Sequence, residues 1–325
     1  MKNLNHIKEC LLQIEKKIEY NGSIRDDITG PIIDLFFTKD TELVKNLSND
    51  LKVYYLYRTK IARDIYFNDD KKVDYLWEPQ TTKIIKYLGL RSTSDALIAG
   101  AYFGDSSLIL AKINPKNKVH CFEPNKSQRK QLIKNKNVNN LKNIIINKEA
   151  LLNKSNLLNS LTGFDSYGSI NTNKKGNIKS TTIDDYVNKN NLSLGFIQLD
   201  IEGSEYKALT GGLKTIERCR PVIIFEIHSK YFNWNKGILN TKLCKLLSDR
   251  KYNMFAIRDI NSSSYKIKYI ELVPLEKIYL KGPPHGFNVI AFPINFKIPK
   301  VFKVVKNVSP KYLMHKDKKF YHPIY

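Results

Sequence analysis

Residues 94–125 (SDALIAGAYFGDSSLILAKINPKNKVHCFEPN) constrain the fold of this chain more than any other stretch. Four apolar residues, 96–99, predict a buried strand that runs into a turn bracketed by Gly100 and Gly104. A helix is predicted to start at Asp105-Ser106-Ser107, where an Asp or Ser can accept the free backbone N–H groups of a first turn. A second strand, 119–122, ends on an acid, Glu123. Glycine at a strand-to-helix turn lets the backbone pass close to a ligand. An acid that closes the next strand is placed to accept the two hydroxyls of a ribose. Glu123 follows Gly100 by 23 residues, near the roughly 20 of a nucleotide-binding βαβ unit. The stretch reads as a nucleoside-cofactor site.

The remaining residues pattern around that unit. Residues 1–20 have Leu4, Ile7, Leu11, Ile14 and Ile18 at helical spacing and stop at the turn signal Asn21-Gly22. Residues 26–66 read as mostly helical, with breaks near Gly30-Pro31 and Asp40, so 1–76 is expected to form a helical N-terminal cap. A helix over 81–88 leads into the first strand. Beyond Glu123 the pattern predicts a basic helix (126–136), a short strand (143–147) and a short helix (183–187). A buried strand (195–201) and a helix (204–219) follow, then a strand (221–228) apolar enough to lie between parallel neighbours. A helix (239–250) and two strands (253–258 and 286–292) complete the set. Residues 151–180 are polar and read as a surface excursion that lines or closes a pocket. Strands alternating with helices predict an α/β domain over 77–293 with a mostly parallel, doubly wound sheet. Residues 294–325 are basic and aromatic and read as a tail packed on the surface.

Composition narrows the partners. Lys and Arg number 54 against 31 Asp and Glu, a net charge of +23 over 325 residues. Such a field draws anions, whether nucleic acid, anionic lipid, nucleotide sugars or acidic glycans, although most of the lysines are dispersed as on a solvated surface. No apolar run approaches the roughly 18 residues of a membrane span, and the first residues are too charged for a signal peptide. Four cysteines without CxxC spacing argue against structural zinc or a disulfide framework and suggest a reducing cytoplasm.

The turn Gly100-Ala101-Tyr102-Phe103-Gly104 is spaced GxxxG, with bulky residues between the glycines. It lacks the third glycine of a dinucleotide fingerprint, and the chain has no GxxxxGK[ST] phosphate loop. A turn that accommodates only a nucleoside and an amino-acid tail tolerates such side chains. The strand ending Gln198-Leu199-Asp200-Ile201-Glu202-Gly203 adds a third element, because open α/β sheets bind ligands at the carboxyl ends of their strands. Asp200 therefore faces the same crevice as Gly100 and Glu123.

On these residues the chain resembles the FkbM-type S-adenosylmethionine-dependent methyltransferases, over roughly residues 77–293. The most specific block is 182–228, where Ile183-Asp184-Asp185, Asp200, Glu202, Gly203, Glu205, Glu226 and His228 match the family pattern position by position. GAYFGDSS and CFEPN match its glycine turn and its ribose-binding acid. The resemblance implies a class I methyltransferase fold with S-adenosylmethionine as cofactor. It implies cofactor contacts from Glu78, Gly100, Ala101, Tyr102, Phe103, Gly104, Glu123, Pro124, Asn125, Glu149, Ala150 and Asp200. Two positions depart from the pattern: Ile98 stands where the family often has Asp, and Gln198 where it has Lys. The first leaves Asp200 or Glu78 to supply the carboxylate near the methionine end of the cofactor.

Methyl transfer from a sulfonium is an in-line displacement that needs a held nucleophile and a base to take its proton. In extended chain Asp200 and Glu202 share a side, as do Glu226 and His228. Asp200 is the residue expected to orient cofactor and substrate, with His228 or Glu202 as base. The metal-free site is preferred to one in which Asp200, Glu226 and His228 gather Mg²⁺. The implied reaction is O-methylation of a hydroxyl, most often on a sugar of a glycan or glycoconjugate, with a small-molecule or glycan acceptor. Two alternatives stay open: an RNA or cap ribose methyltransferase, and a non-catalytic cofactor- or glycan-binding protein. Oligomeric state is left open.

Overall fold

The protein is described from a computed structural model, which covers residues 2–20, 23–68, 73–163, 168–260, 269–279 and 286–312. The N-terminal part opens with α1 (Lys2–Lys17), a π-helical turn (Arg25–Thr29) and α2 (Gly30–Asp34). It continues as the hairpin β1 (Glu42–Asn46) and β2 (Lys52–Leu56), followed by α3 (Lys60–Phe67). The hairpin corrects the helical reading of residues 42–56. Its buried Val53 and Tyr55 alternate with outward residues at the strand period of two, and its register depends on pairing partners that helical spacing does not show.

Next come α4 (Pro79–Gly89), β3 (Asp95–Ala99), α5 (Ser107–Ile113), β4 (Val119–Phe122), α6 (Lys126–Val138) and β5 (Ile144–Asn147). Residues 151–180 are not a loop. They form most of a small sheet of β6 (Ala150–Leu151), β7 (Leu158–Thr162), β8 (Ser169–Asn171) and β9 (Ile178–Thr181), ordered β6-β9-β7-β8. Polar strands of two to five residues carry no apolar alternation, which is why their composition suggests a loop.

The chain returns to the main sheet through α7 (Ile183–Lys189) and β10 (Leu194–Leu199). The helix expected over 204–219 is two helices, α8 (Glu205–Thr210) and α9 (Leu213–Cys219), parted at Gly211-Gly212. A Cβ on Gly211 would lie 2.3 Å from the carbonyl oxygen of Leu152, so the break lets two backbones meet. The last elements are β11 (Val222–Ile227), α10 (Lys242–Ser248), β12 (Tyr252–Ile257), β13 (Asp259–Ile260), β14 (Ile270–Pro274), β15 (Phe287–Pro293), β16 (Phe302–Val304) and β17 (Lys311–Tyr312).

Nine strands form one sheet in the order β16-β14-β12-β15-β11-β10-β3-β4-β5. The run β11-β10-β3-β4-β5 is parallel. β15 then inserts antiparallel between β11 and β12. Strand order reverses between β3 and β10, and beyond β12 the sheet continues through β14 to β16 at its edge. β11 is central as expected, yet one of its two neighbours is antiparallel rather than parallel. Nor is the tail only a surface packing, since β16 pairs with β14 at the sheet edge and β17 pairs with β13.

Alternation along the strands sends residues to two cores. Ala96, Ile98, Val119, Cys121, Phe196 and Ile224 face α4, α5 and α6. Leu97, Ala99, Ile197, Leu199, Ile223 and Phe225 face α7 to α10. The first core also takes in Val53, Tyr55, Ile65 and Leu76, so the N-terminal part and the α/β sheet share one apolar cluster. Asp259 ties the late strands to the start of α4 by accepting from the backbone N–H groups of Gln80 (2.9 Å) and Thr81 (3.0 Å). No helix among the described residues is long and apolar enough to cross a membrane.

Candidate active site

The crevice lies at the carboxyl ends of β3, β4, β10 and β11, where the strand order reverses. β3 ends at Gly100, whose φ of +75° is left-handed backbone. A Cβ there would sit 1.7 Å from the carbonyl oxygen of Asp200. Only glycine lets these two strand ends touch. Within the turn, Ala101 and Phe103 are buried and packed into the cap-side core, with Phe103 6.2 Å from the Tyr55 ring. These two residues can meet a cofactor only through their backbone.

Glu123 is buried and spends one carboxylate oxygen on each of two backbone donors. The Tyr102 N–H donates to Oε2 and the Asn125 N–H to Oε1, both at 2.8 Å. The acid therefore fixes the glycine turn to the start of α6, while its remaining lone pairs can still accept hydroxyls. Asn125 caps α6 by accepting from Ser127 N–H at 2.9 Å. Pro124 is half-buried beside it, and Arg129 Nη1 donates to the carbonyls of Glu123 (2.7 Å) and Pro124 (3.0 Å). Glu149 is half-buried just before the buried Ala150, which opens β6.

Past Leu199 the chain does not stay extended. Glu202 turns with φ +50° and Gly203 with +94°. The turn nevertheless brings Asp200, Glu202 and Glu226 together, with one carboxylate oxygen from each lying within 4.8 Å of the others. Tyr231 donates its hydroxyl to Glu202 Oε2 at 2.7 Å, and Ser169 of the small sheet donates to the Glu202 carbonyl at 2.9 Å. Glu205 is buried and braces the same turn, accepting at Oε1 from the N–H groups of Ile201 (2.9 Å) and Gly203 (3.3 Å).

At the end of β11, Glu226 and His228, the residue just past the strand, do share a side. A Cβ on Gly286 would lie 2.2 Å from Glu226 Oε1 and 2.7 Å from His228 Cδ2. His228 Nδ1 accepts from the Lys230 N–H at 2.9 Å, which assigns the proton of the neutral ring to Nε2. The carboxylate trio able to gather a cation is thus Asp200, Glu202 and Glu226, rather than the set with His228. Glu78 adopts left-handed φ (46°) before α4 and accepts from Asn288 Nδ2. Ile98 is buried in the sheet and could not present a carboxylate in its place.

Residues 99–254 match the family model of the methyltransferase FkbM domain. The chain carries an FkbM methyltransferase domain. No curated protein matches it in sequence. Among solved structures, it is similar to methyltransferase FkbM from Methylobacillus flagellatus KT, at 16% identity and a TM-score of 0.40. That likeness covers 61% of this chain and 43% of the other, so the chain spans less than half of that relative's length. An O-methyltransferase from Bacillus cereus in complex with SAH aligns at 12% identity and a TM-score of 0.40, covering 89% of this chain and 99% of that one. The tRNA (uracil-54, C5)-methyltransferase of Pyrococcus abyssi, with S-adenosyl-L-homocysteine, aligns at 11% identity and a TM-score of 0.37, covering 77% and 44%.

In the FkbM domain the acids perturb one another. Burial pushes Glu123 up to about 7, against the pull of the Asn125 and Tyr102 N–H groups. Burial likewise brings Glu205 to about 7 and Asp105 to about 6. Asp200 keeps an exposed face, yet loss of water in the crevice raises its carboxyl, helped by Glu202, Glu205, Asp105 and Glu123. Burial raises Glu226 too, with Asp200 first among the charges that add to it. A chain of +23 thus holds a strongly acidic crevice. Residues that join it without having been read as site residues are Asp105, Tyr231 and Asn288. Asn288, a polar residue inside the apolar run FNVIAF, was the available signal; Tyr231 had none.

Proposed function

We propose that the FkbM domain is an S-adenosylmethionine-dependent O-methyltransferase whose acceptor is a hydroxyl on a sugar of a glycan or glycoconjugate. The observation that supports it is the carboxylate group Asp200, Glu202 and Glu226 at the strand ends, next to the Gly100 turn. A hydroxyl is a poor nucleophile and needs a base, and a carboxyl raised toward neutrality is a better one than a free carboxylate. When bound, S-adenosylmethionine supplies an electrophilic methyl group on a positively charged sulfur.

The chain's own residues fit that cofactor by charge and donor set. Glu123 accepts the ribose hydroxyls while its two N–H bonds hold the turn in place. Pro124, Asn125, Glu149 and Ala150 flank the nucleoside, and the 100–104 backbone passes beside it. Asp200 and Glu78 supply negative charge toward the cationic end. Asp200, open to solvent in the crevice, takes the hydroxyl proton. Glu202, oriented by Tyr231, accepts a neighbouring acceptor hydroxyl, and His228 offers its Nε2–H as a donor. An acceptor rich in hydroxyls suits a wall of hydrogen-bond acceptors. The same negative charge repels a phosphodiester backbone, which disfavours RNA as acceptor.

A divalent cation held by the trio is the second reading, because hard oxygen ligands at that spacing suit it. Calorimetric titration with S-adenosylmethionine and S-adenosylhomocysteine, beside Glu123→Ala, comes first. Micromolar binding lost in the variant supports the cofactor site and leads to an acceptor screen of nucleotide sugars and glycans, with and without EDTA. Activity that EDTA removes and Mg²⁺ restores favours the cation. No cofactor binding by the intact protein, or no turnover on any acceptor, refutes the catalytic proposal in favour of a non-catalytic binding protein, and turnover unchanged by Asp200→Asn refutes Asp200 as the base.

A further inference from the structure

A second hollow lies at the opposite end of the sheet. The amino-terminal ends of β3, β4, β10 and β11 contribute Ala96, Val119, Phe196 and Val222 to a cavity of roughly 240 Å³. Phe296 closes one side and is held in place by stacking on Phe292, at 4.8 Å between ring centres. The cavity is larger than the ~150 Å³ apolar cavity that takes a benzene ring.

Its polar neighbours are already bonded to one another. Asn114 Nδ2 donates to the Gly89 and Ser92 carbonyls (2.6 and 3.1 Å), and Asn117 Nδ2 donates to Ser92 O (2.9 Å). An apolar occupant therefore leaves no donor unmet, whereas a water there would find few partners. Two exposed cations, Arg91 and Lys118, belong to the same lining, and neither makes an ion pair among the described residues. Arg91 is fixed over the Tyr87 ring at 3.7 Å and donates to the Tyr87 carbonyl at 3.2 Å. Leu90, between the lining residues Gly89 and Arg91, is 64% exposed.

The geometry points to a binding site for an anionic amphiphile, with a medium-length apolar chain in the cavity and its head group on Arg91 and Lys118. The ligand class is a fatty carboxylate or one acyl chain of an anionic phospholipid. Along β3, Ala96 is four residues from Gly100, roughly 13 Å at strand rise. The occupant is thus separated from the carboxylate crevice by the length of the sheet and is no part of the methyl-transfer site.

Decanoate titrated calorimetrically into the full chain tests this, beside 1-decanol and decyltrimethylammonium. One saturable decanoate site is expected, with decanol weaker by about tenfold and the cationic amphiphile weaker still. Arg91→Glu with Lys118→Glu is expected to weaken decanoate at least about tenfold and leave decanol unchanged. Ala96→Leu, which fills the cavity, is expected to remove both, with thermal unfolding checked in parallel. Flotation with phosphatidylglycerol vesicles, lost in the charge-reversed variant and absent with phosphatidylcholine, identifies a membrane lipid. Decanoate binding without flotation identifies a free acid. Absence of saturable decanoate binding, or equal affinity for the three amphiphiles in the intact and charge-reversed proteins, overturns the proposal.

Discussion

Replacing Glu123 by Gln separates what this acid does for the fold from what it does for a cofactor. In the folded protein its carboxyl is raised by burial from 4.5 to about 7. At 1.36 kcal/mol per pH unit, that displacement corresponds to about 3 kcal/mol. The unfolded chain loses this proton first as pH rises, so the folded state grows less stable through the window from 4.5 to about 7. Gln does not titrate. The stability of the parent minus that of Glu123→Gln should therefore fall by about 3 kcal/mol between pH 4 and pH 8.5. Taking the difference cancels groups that titrate alike in both proteins.

The absolute offset has its own origin. Glu123 gives one oxygen to the Tyr102 N–H and the other to the Asn125 N–H, and an amide has only one oxygen to give. One of these N–H groups then loses its acceptor, at a cost of about 1–3 kcal/mol that does not vary with pH. Urea unfolding at a series of pH values reads both quantities. A difference flat to within about 0.5 kcal/mol across the range would refute the argument that the buried carboxyl is held above its ordinary value. Cofactor affinity read on the same samples should drop by about tenfold or more even at pH 8.5, where the variant's relative stability is greatest.

Gly100→Ala forces a Cβ against the Asp200 carbonyl and strains a left-handed residue, so a loss of about 3–5 kcal/mol in urea unfolding is expected together with lost cofactor binding. Asp184 accepts from the Thr215 N–H (2.8 Å) and the Lys214 N–H (3.1 Å) and so holds the start of α9. Asp184→Asn should lower stability by about 1–2 kcal/mol and leave cofactor affinity unchanged by calorimetry. Because the Asp200 carboxyl is raised, its base form increases as pH rises; kcat/KM on an identified acceptor should climb through neutral pH, and a profile falling over that range would exclude Asp200 as base.

Sequence alone determined the βαβ unit around Gly100 and Glu123, the strand ending in Asp200, the α/β class and the methyltransferase family. These features are local: a buried strand, its turn and the next helix sit within about 30 residues, where spacing and turn chemistry speak directly. The pairing of Glu226 with His228 was legible for the same reason, since alternation along one strand suffices. Tertiary structure decided the rest. The hairpin at 42–56 and the small sheet of 150–181 depend on partners distant in the chain, and short polar strands show no period of their own. Asp200 and Glu202 meet through a left-handed turn and not through extended alternation. The acidity of the crevice is a sum over Glu78, Asp105, Glu123, Asp200, Glu202, Glu205 and Glu226, carried by separate strand ends and turns. Burial and the neighbouring charges shift Asp105, Glu123, Asp200, Glu205 and Glu226 only once folding brings them into one low-dielectric place, so no window of sequence contains the effect.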